Sequence, residues 1–253
     1  MKQMIGVFFS LALLCHVGPI YAQPLDAFKQ PMRTQQELAQ LSQQFTDWSV
    51  ASANWRQKLL TKTEKTALED FSVSGYITAN DYLRASNGAE WGEAARDAQR
   101  YIRILRRGLV KLPRYKGTVF RGTWIKQSLA QKLNVGDVLL DPAFMSTSTL
   151  PEVAIRFSVV PPNSAQPMEK AFFEINARHG SYTLASLSEN GPEAEVLLAP
   201  KRFFRVTSLE KITKGNLIAM ETLSGPPSHE SRVFNLFSGE EVSTSRWQRL
   251  ICR

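Results

Sequence analysis

The spacing of apolar residues changes once along this chain, near Pro113, and that change limits the folds open to it. Before Pro113, segments such as TQQELAQLSQQF and WGEAARDAQRYIRILRRGLVKL carry apolar residues at three- and four-residue spacing, which is typical of amphipathic helices. Asn80 is expected to cap the N-terminus of one helix, and Pro113 is expected to stop the last one. The sequence predicts a helical part over about residues 26–112.

After Pro113 the chain breaks into short runs of β-branched and aromatic residues, separated by Gly, Pro, Asn and Asp. The runs are GTVFRGTW, AFMSTST, KAFFEIN, AEVLLA, FFRVTSLEKI and NLIAMETL, and a loop at 225–232 precedes a final strand. One short helix, PEVAIRFS, interrupts them, which is too few helices for a doubly wound βαβ sheet. We therefore predict an α+β fold, with N-terminal helices followed by a mixed or antiparallel, sandwich-like sheet core over about residues 115–253.

The first residues, MKQMIGVFFSLALLCHVGPIYAQ, have the pattern of a secretory signal peptide. Lys2 gives a positive start, residues 4–15 are almost entirely apolar, and Ala22 is a small residue suited to cleavage. The apolar stretch is shorter than the roughly 20 residues of a transmembrane helix, although an N-terminal membrane anchor is the alternative. We expect residues 1–22 to be removed, leaving a secreted, soluble, monomeric protein with one catalytic domain at 23–253 and no stable membrane insertion.

The formal net charge of +8 is compatible with an anionic ligand, or with a merely basic surface. No nucleic-acid motif accompanies the charge, so nucleic acid is not an expected partner. Cleavage would leave Cys252 as the one cysteine, which excludes an internal disulfide, and we expect this terminal thiol to be inert. His179 and His229 lie far apart without metal-ligand spacing, so no metal site is expected.

Sequence motifs exclude several common enzyme classes, because the chain has no G-x-G-x-x-G, no G-x-x-x-x-G-K-[ST] and no G-x-S-x-G. Three short polar features are left. Arg121 lies inside the apolar run VFRGT, where a charge is costly unless it is paired or binds an anion. FMSTST places a series of hydroxyls in a strand, and PEAEV carries Glu193 and Glu195. In an extended chain residues i and i+2 point to the same side, so these two carboxylates are expected to lie close together.

Taken in this order, the three features resemble the arginine-specific mono-ADP-ribosyltransferases, and most closely the bacterial exotoxins with an Arg/Ser-Thr-Ser/Glu-x-Glu signature. The matching residues are Arg121 in FRG, Ser146, Thr147 and Ser148 in FMSTS, and Glu193 with Glu195 in EAEVLL. YITANDYLR, residues 76–84, is also similar to a helix that contributes to the NAD pocket of that family. The resemblance covers about residues 70–210.

The resemblance implies that NAD is the co-substrate and that no metal takes part. Arg121, with Gly122 beside it, would hold the pyrophosphate of NAD, which suits the bidentate geometry of a guanidinium. Breaking the nicotinamide glycosidic bond develops an oxocarbenium-like ribose, and Glu195 would stabilise it while bonded to the ribose 2′-hydroxyl. Ser146 would orient Glu195, and Thr147 and Ser148 would hold the surrounding scaffold.

The same resemblance implies a role for Glu193 at the acceptor. Its carboxylate would engage an incoming arginine guanidinium and help to remove its proton. A glutamine at this position accompanies a different target residue in the family, so the glutamate favours arginine. Family members often carry an aromatic residue about three positions earlier, where this chain has Asn190, and the nearest aromatic here is Tyr182.

Four further residues are candidates for the NAD pocket. Tyr82 and Arg84 in YLR could line it, although an amphipathic helix needs such residues for packing too. Arg156 and Phe157 in IRFSVVPPN are the nearest matches to a loop that contacts the nicotinamide and phosphate in the family.

The function implied is that of a secreted, toxin-like enzyme that transfers ADP-ribose to an arginine of a host protein. Two alternatives stay open at this point. One is an NAD glycohydrolase with water as acceptor, and the other is a non-catalytic module that binds a nucleotide or a partner. The helical segment at 26–65 could belong to the catalytic fold, or could be an arm that binds a membrane or a partner.

Overall fold

Helices precede strands in the computed structural model, which describes residues 26–53, 55–85, 92–159, 162–187, 193–213, 215–243 and 245. The expected signal peptide, Cys252 and Asn190 lie outside the described residues. No helix among the described residues is long and apolar enough to cross a membrane.

Four helices form the first part of the described chain. They are α1 at Gln35–Ala51, α2 at Lys62–Asp70, α3 at Tyr76–Arg84 and α4 at Ala94–Leu109. Short 3₁₀ turns at Asp26–Phe28 and Gln57–Leu59 come before α1 and α2. Both α1 and α2 begin with a capping box, in which a threonine and a glutamate three residues later satisfy each other's backbone N–H groups.

Asn80 does not cap a helix, which corrects the sequence prediction. A π-helical turn at Phe71–Gly75 joins α2 directly to α3, so the chain has no free helix N-terminus at this point. Asn80 lies inside α3, where its buried side-chain Oδ1 accepts a 3.0 Å hydrogen bond from the backbone N–H of Phe144. The asparagine therefore fastens α3 to the strand region that follows.

Nine strands of the described chain form one mixed sheet. They are β1 at Gly117–Lys126, β2 at Val138–Asp141, β3 at Met145–Ser148, β4 at Met168–Ala177, β5 at Ser181–Thr183, β6 at Glu195–Leu198, β7 at Arg202–Ile212, β8 at Gly215–Thr222 and β9 at Val233–Asn235. Helix α5 at Gln127–Ala130 follows β1, and α6 at Pro151–Phe157 follows β3. The predicted α+β fold is confirmed, although β2 and β5 were absent from the predicted runs.

The strand order across the sheet is β5-β6-β3-β1-β4-β8-β7-β2-β9. The β4–β8 and β2–β9 pairs are parallel, and the other pairs are antiparallel. Val196 of β6 and Phe234 of β9 belong to the same buried cluster, although their strands lie near opposite ends of this order. The sheet is therefore curled around one apolar core.

The helices cover the opposite face of the sheet at its β5–β6 end. Successive side chains of a strand point to opposite faces, and β6 follows this rule. Val196 and Leu198 join the core inside the curl, whereas Leu197 packs with Leu68 of α2 and Leu105 of α4. Burying these apolar side chains contributes about 1.5–3 kcal/mol each, so this contact holds the helical part against the sheet.

The N-terminal helix α1 packs on this same fold. Its Leu38 is buried beside Leu150 and Val153, which lie at the start of α6. Just before α1, Arg33 forms a two-pronged ion pair with Glu152, with both N···O distances at 2.7 Å. Of the two roles considered for residues 26–65, the structure thus favours a part of the catalytic fold.

Candidate active site

The three sequence features lie on neighbouring strands. Arg121 is in β1, Ser146 is in β3 and Glu195 begins β6, and the order β6-β3-β1 places these strands side by side. All three residues, together with Glu193, line a cavity of about 900 Å³. This volume lies within the range of about 300–1,000 Å³ that small-molecule sites usually have.

The cavity opens where β1 and β3 separate. Within the described residues, their register consists of one pair, Phe120 with Ser148. Beyond this pair the Arg121 side chain bridges the gap, and its Nη1 donates a 2.7 Å hydrogen bond to the backbone oxygen of Ser146. Burial lowers the pKa of Arg121, while the charge of Asp141 raises it. Arg121 is therefore a partly desolvated cation with N–H groups left to bind an anion.

Glu195 is a buried carboxylate, only 6% exposed, at the first position of β6. The pKa of Glu195 is raised to about 7, chiefly by burial, while a side-chain hydrogen bond with Ser146 lowers it and the nearby charge of Glu193 contributes to the rise. The register places Ser148 directly opposite Glu195. The Ser146 side chain is thus within hydrogen-bonding distance of the carboxylate that the resemblance expects it to orient.

Glu193 and Glu195 are close together, but not for the reason that the sequence suggested. The prediction assumed one extended strand, whereas β6 begins at Glu195 and the residue between the glutamates, Ala194, has φ +45°. A left-handed backbone costs an alanine roughly 1–2 kcal/mol, because its Cβ approaches the following carbonyl oxygen. The chain therefore turns between the two carboxylates. Burial raises the pKa of Glu193, and the charge of Arg156 lowers it.

Hydroxyl groups of β3 hold this turn in place. Ser148 Oγ donates a 2.6 Å hydrogen bond to the backbone oxygen of Glu193, and it accepts one from Leu150 N–H at 2.9 Å. Thr147 Oγ1 donates to the backbone oxygen of Val196 at 2.6 Å. These bonds tie β3 to the backbone on both sides of Ala194, which is the scaffold role predicted for Thr147 and Ser148.

A second arginine lies on the helical wall of the cavity. Arg84 lines it at the end of α3, and its guanidinium stands 4.9 Å from the ring centroid of Phe237. The Nε atom of Arg84 is buried and has no hydrogen-bond partner among the described residues. Asp141, 4% exposed, lies near both arginines, and burial raises its pKa while the charges of Arg84 and Arg121 lower it. The cavity thus has a cationic section with unused donors.

Helix α6 forms another wall and approaches β1 very closely. A Cβ atom at Gly122 would overlap the backbone oxygen of Ala154, so this approach requires glycine. The predicted candidates Arg156 and Phe157 lie on α6 and not in a loop. Phe157 lines the cavity, whereas Arg156 is outside its described lining and acts on Glu193 through its charge.

The structure does not bring Tyr82 or Tyr182 to the cavity wall. Tyr82 is buried among the helices and accepts a hydrogen bond from Gln99, which is the packing role that the sequence left open. Tyr182 belongs to the same buried cluster, so it does not replace the aromatic residue that is missing at Asn190. Neither His179 nor His229 is among the described residues that line the cavity.

Sequence reasoning missed three residues of the site. Asn80 and Phe237 line the cavity, and so does Asp141, which ends the buried strand VLLD. Asp141 gave a usable signal, because a charge at the end of a fully apolar run is as unusual as the charge of Arg121 in its strand. Phe237 gave none, since an aromatic residue in a loop is not informative alone.

Comparison with known families gives the class of this protein. The model of the ADP-ribosyltransferase exoenzyme family matches residues 45–223, and the chain belongs to this family. Among individual proteins, it is 51% identical over 244 residues to the NAD(+)–arginine ADP-ribosyltransferase Vis of Vibrio splendidus strain 12B01. That alignment covers 96% of this chain and 98% of Vis.

Solved structures agree with the sequence comparison. The Vis structure with the M6 inhibitor has a TM-score of 0.84 at 52% identity and covers 87% of this chain and all of the other. A Vis structure in complex with agmatine has a TM-score of 0.81 at 51% identity, with the same coverage. An ADP-ribosyltransferase from Clostridium botulinum has a TM-score of 0.52 at 16% identity, with 71% of this chain and 94% of the other covered, and is similar in fold.

Proposed function

We propose that this protein is an NAD–arginine ADP-ribosyltransferase with NAD as co-substrate. The observation that carries the proposal is the buried Glu195, oriented by the Ser146 hydroxyl in the same cavity as Arg121 and Glu193. Vis, named for the same reaction, is identical at half of the aligned positions. No group of three metal-ligating side chains occurs in the described part of the chain, and the carboxylates and guanidiniums of the site fit a reaction that needs none.

The pyrophosphate of NAD binds in the cationic section of the cavity. Arg121 and Arg84 offer guanidinium donors there, and the buried Nε of Arg84, which has no partner among the described residues, gains one. An unsatisfied buried donor costs about 1–3 kcal/mol, so binding an anion removes this cost. The nicotinamide ribose then extends toward Glu195.

The reaction breaks the bond between ribose C1′ and the nicotinamide nitrogen, and nicotinamide leaves with the electron pair. The ribose becomes oxocarbenium-like, and the Glu195 carboxylate stabilises this charge while it accepts a hydrogen bond from the 2′-hydroxyl. Because Glu195 is almost fully buried, this electrostatic stabilisation is weakly screened by water. The hydrogen bond with Ser146 keeps the carboxylate in position throughout.

The acceptor guanidinium binds at Glu193. A guanidinium nitrogen attacks C1′, forms the new glycosidic bond and loses a proton, which Glu193 accepts. Burial raises the pKa of Glu193, which makes this carboxylate a better base than an exposed one. Vis has been solved with agmatine, whose guanidinium is that of arginine, and an acceptor of this kind fits the glutamate here.

We further propose that the protein is a secreted, monomeric toxin with one catalytic domain at 23–253 that modifies a host protein. The leader pattern of residues 1–22 supports secretion, and the similarity to Vis, described as a toxin, supports the role. NAD glycohydrolysis is the second activity expected of the same site, because water can replace the guanidinium at C1′.

The test uses the purified protein from residue 23 onward with NAD, in the presence and absence of agmatine. Nicotinamide release and ADP-ribosylated agmatine are both quantified. Agmatine-dependent conjugate is the expected result. Nicotinamide release without conjugate would instead indicate a glycohydrolase or a transferase restricted to a protein acceptor. A folded protein without any turnover would contradict the proposal and favour a binding module.

A further inference from the structure

Phe237 is an exposed aromatic side chain on a well-defined turn. It follows β9, which pairs with β2 along the edge of the sheet, and it is 56% exposed. Asn235 Oδ1 accepts hydrogen bonds from the N–H groups of Phe237 and Ser238, both at 2.9 Å. The N–H of Gly239 donates to the backbone oxygen of Asn235 at 2.8 Å, and the φ of Gly239 is +69°. These hydrogen bonds therefore fix the turn that places the Phe237 ring at the cavity wall.

Contacts between neighbouring side chains show the order in which the chemical groups follow one another along the cavity. The Glu195 carboxylate is hydrogen-bonded to the Ser146 side chain, and the backbone oxygen of Ser146 accepts a hydrogen bond from Arg121. Asp141 acts electrostatically on both Arg121 and Arg84, so these two guanidiniums lie near the same carboxylate. Arg84 in turn stands over the Phe237 ring. The order is carboxylates, first guanidinium, second guanidinium, aromatic ring.

A dinucleotide has a matching order of chemical groups. With the nicotinamide ribose at Glu195 and the pyrophosphate at the two guanidiniums, the adenosine half comes next in the direction of Phe237. We propose that Phe237 is an adenine-binding residue, with the base stacked on its exposed ring. This inference rests on the proposed function, since it takes NAD as the occupant of the cavity.

Physical chemistry supports this assignment. An exposed ring that stacks with a base is desolvated only when the ligand binds, and stacking on an aromatic side chain favours binding of any base. The ring also contacts the Arg84 guanidinium, so one side chain borders both the phosphate and the base. Phe237 thus determines affinity for the nucleotide half of NAD that takes no part in bond breaking.

The test compares ADP with inorganic pyrophosphate, two ligands that share a diphosphate and differ in the adenosine. Calorimetry would measure both dissociation constants for the unvaried protein and for Phe237→Ala, Phe237→Leu and Phe237→Tyr. We expect the dissociation constant of ADP to rise about tenfold in Phe237→Ala and Phe237→Leu and to stay within about threefold in Phe237→Tyr. The dissociation constant of pyrophosphate should change less than about twofold in all variants.

Turnover provides a second readout. Phe237→Ala should raise KM for NAD about tenfold with a much smaller effect on kcat, because the ring is remote from the reacting bond. The control is Trp55→Ala, which removes an aromatic side chain that is 66% exposed and is not among the described residues lining the cavity. It should change neither dissociation constant nor KM.

Three results would overturn the inference. The first is an unchanged affinity for ADP in Phe237→Ala, and the second is no ADP binding by the unvaried protein. The third is an equal loss of ADP and pyrophosphate affinity, which would mean that Phe237 acts by holding Arg84. Failure of the proposed function is distinguishable, because it would appear as ADP binding that depends on Phe237 in a protein that does not turn over NAD.

Discussion

At the scale of single residues, the site depends on two carboxylates that differ in surroundings. Glu195 is almost fully buried and is hydrogen-bonded to Ser146. Glu193 is half-buried, which raises its pKa, while the nearby charge of Arg156 acts to lower it. Ala194 separates them with a left-handed backbone, packed against Leu38. Strained backbone of this kind persists where packing over-determines it, and it is common at functional sites. In the proposed mechanism, this turn allows one carboxylate to face the sugar and the other to face the acceptor.

Replacing each glutamate in turn tests this division of roles. Glu195→Ala should reduce both transfer to agmatine and NAD hydrolysis by at least about a thousandfold, because the oxocarbenium loses its stabilising charge. Glu193→Ala should lose transfer to a similar degree while keeping measurable hydrolysis, since water does not need the acceptor carboxylate. Quantifying nicotinamide and conjugate separately checks this. Equal loss of both activities in both variants would contradict the assignment.

The raised pKa of Glu195 predicts how stability depends on pH. Its ordinary value is 4.5 and its folded value is about 7, so the folded protein binds this proton more tightly than the unfolded chain does. Burial of the ionised carboxylate therefore costs nothing below pH 4.5, costs progressively more between pH 4.5 and 7, and has its full cost above pH 7. Glu195→Gln should stabilise the protein by about 2 kcal/mol at about pH 8 and have little effect at about pH 4.5.

Thermal or urea unfolding of both proteins across this pH range measures the effect. Nicotinamide release by the unvaried enzyme should also decrease as the pH falls below about 7, because the protonated carboxyl no longer stabilises a cation. A stability difference between the two proteins that does not vary with pH would show that Glu195 titrates near its ordinary value.

At the scale of elements, the position of α6 against β1 shapes the cavity. Gly122 is the contact point, and the wall that α6 contributes includes Val153 and Phe157. Val153 also packs against Ala194, so the same helix supports the turn between the glutamates. A shift of α6 would therefore displace both the cavity wall and the turn that carries Glu193 and Glu195.

Gly122→Ala is the variant that tests this contact. Its methyl group would meet the backbone oxygen of Ala154, which belongs to a helix and cannot rotate away. We expect a loss of about 1–3 kcal/mol in stability and a clear increase in KM for NAD as α6 moves outward. Gly225→Ala is the matched control, because no atom lies within 4 Å of a Cβ added there. Equal behaviour of the two variants would show that the approach of α6 to β1 is not critical.

At the scale of the whole molecule, the curled sheet and the N-terminal segment build the site together. The curl brings Asp141, at the end of β2, next to Arg121 of β1, although three strands lie between β1 and β2 in the sheet. The Arg33–Glu152 ion pair links the segment that precedes α1 with helix α6. Burial has the largest single effect and raises the pKa of Glu152, but the hydrogen bonds and charge of Arg33, together with a backbone hydrogen bond, bring the pKa below its ordinary value, so the carboxylate stays ionised.

Removing the arginine tests this long-range connection. Arg33→Ala leaves the Glu152 carboxylate, itself 4% exposed, without its cation, and should destabilise the protein by about 2–4 kcal/mol. Adding Glu152→Gln should recover part of this loss, because the buried charge is removed. Lys29→Ala is the control, since Lys29 and Glu210 form an exposed pair and should contribute less than about 1 kcal/mol. Urea unfolding measures all four proteins, and a loss in Arg33→Ala no larger than in the control would contradict the proposed role.

Local sequence patterns were sufficient to predict the class of fold and the candidate site residues of this protein. The change in apolar spacing at Pro113 separates helices from strands because the side-chain periods of helix and strand differ, and that local property needs no tertiary information. Arg121, the Ser-Thr-Ser run and the two glutamates were identifiable because their order along the chain resembles a family signature, although each feature alone would have been a weak signal. Short strands such as β5 were not predicted, because three residues are too few to show an alternating pattern of apolar side chains.

Only the tertiary structure decided how these residues meet. The left-handed turn at Ala194 is invisible in sequence, because its cost is offset by packing from Leu38, a residue of the distant helix α1. Asp141 and Phe237 reach the cavity because the sheet curls, and curling is set by contacts between distant strands. The sequence therefore predicted the candidate site residues, while packing between distant segments determines which of their neighbours complete the cavity.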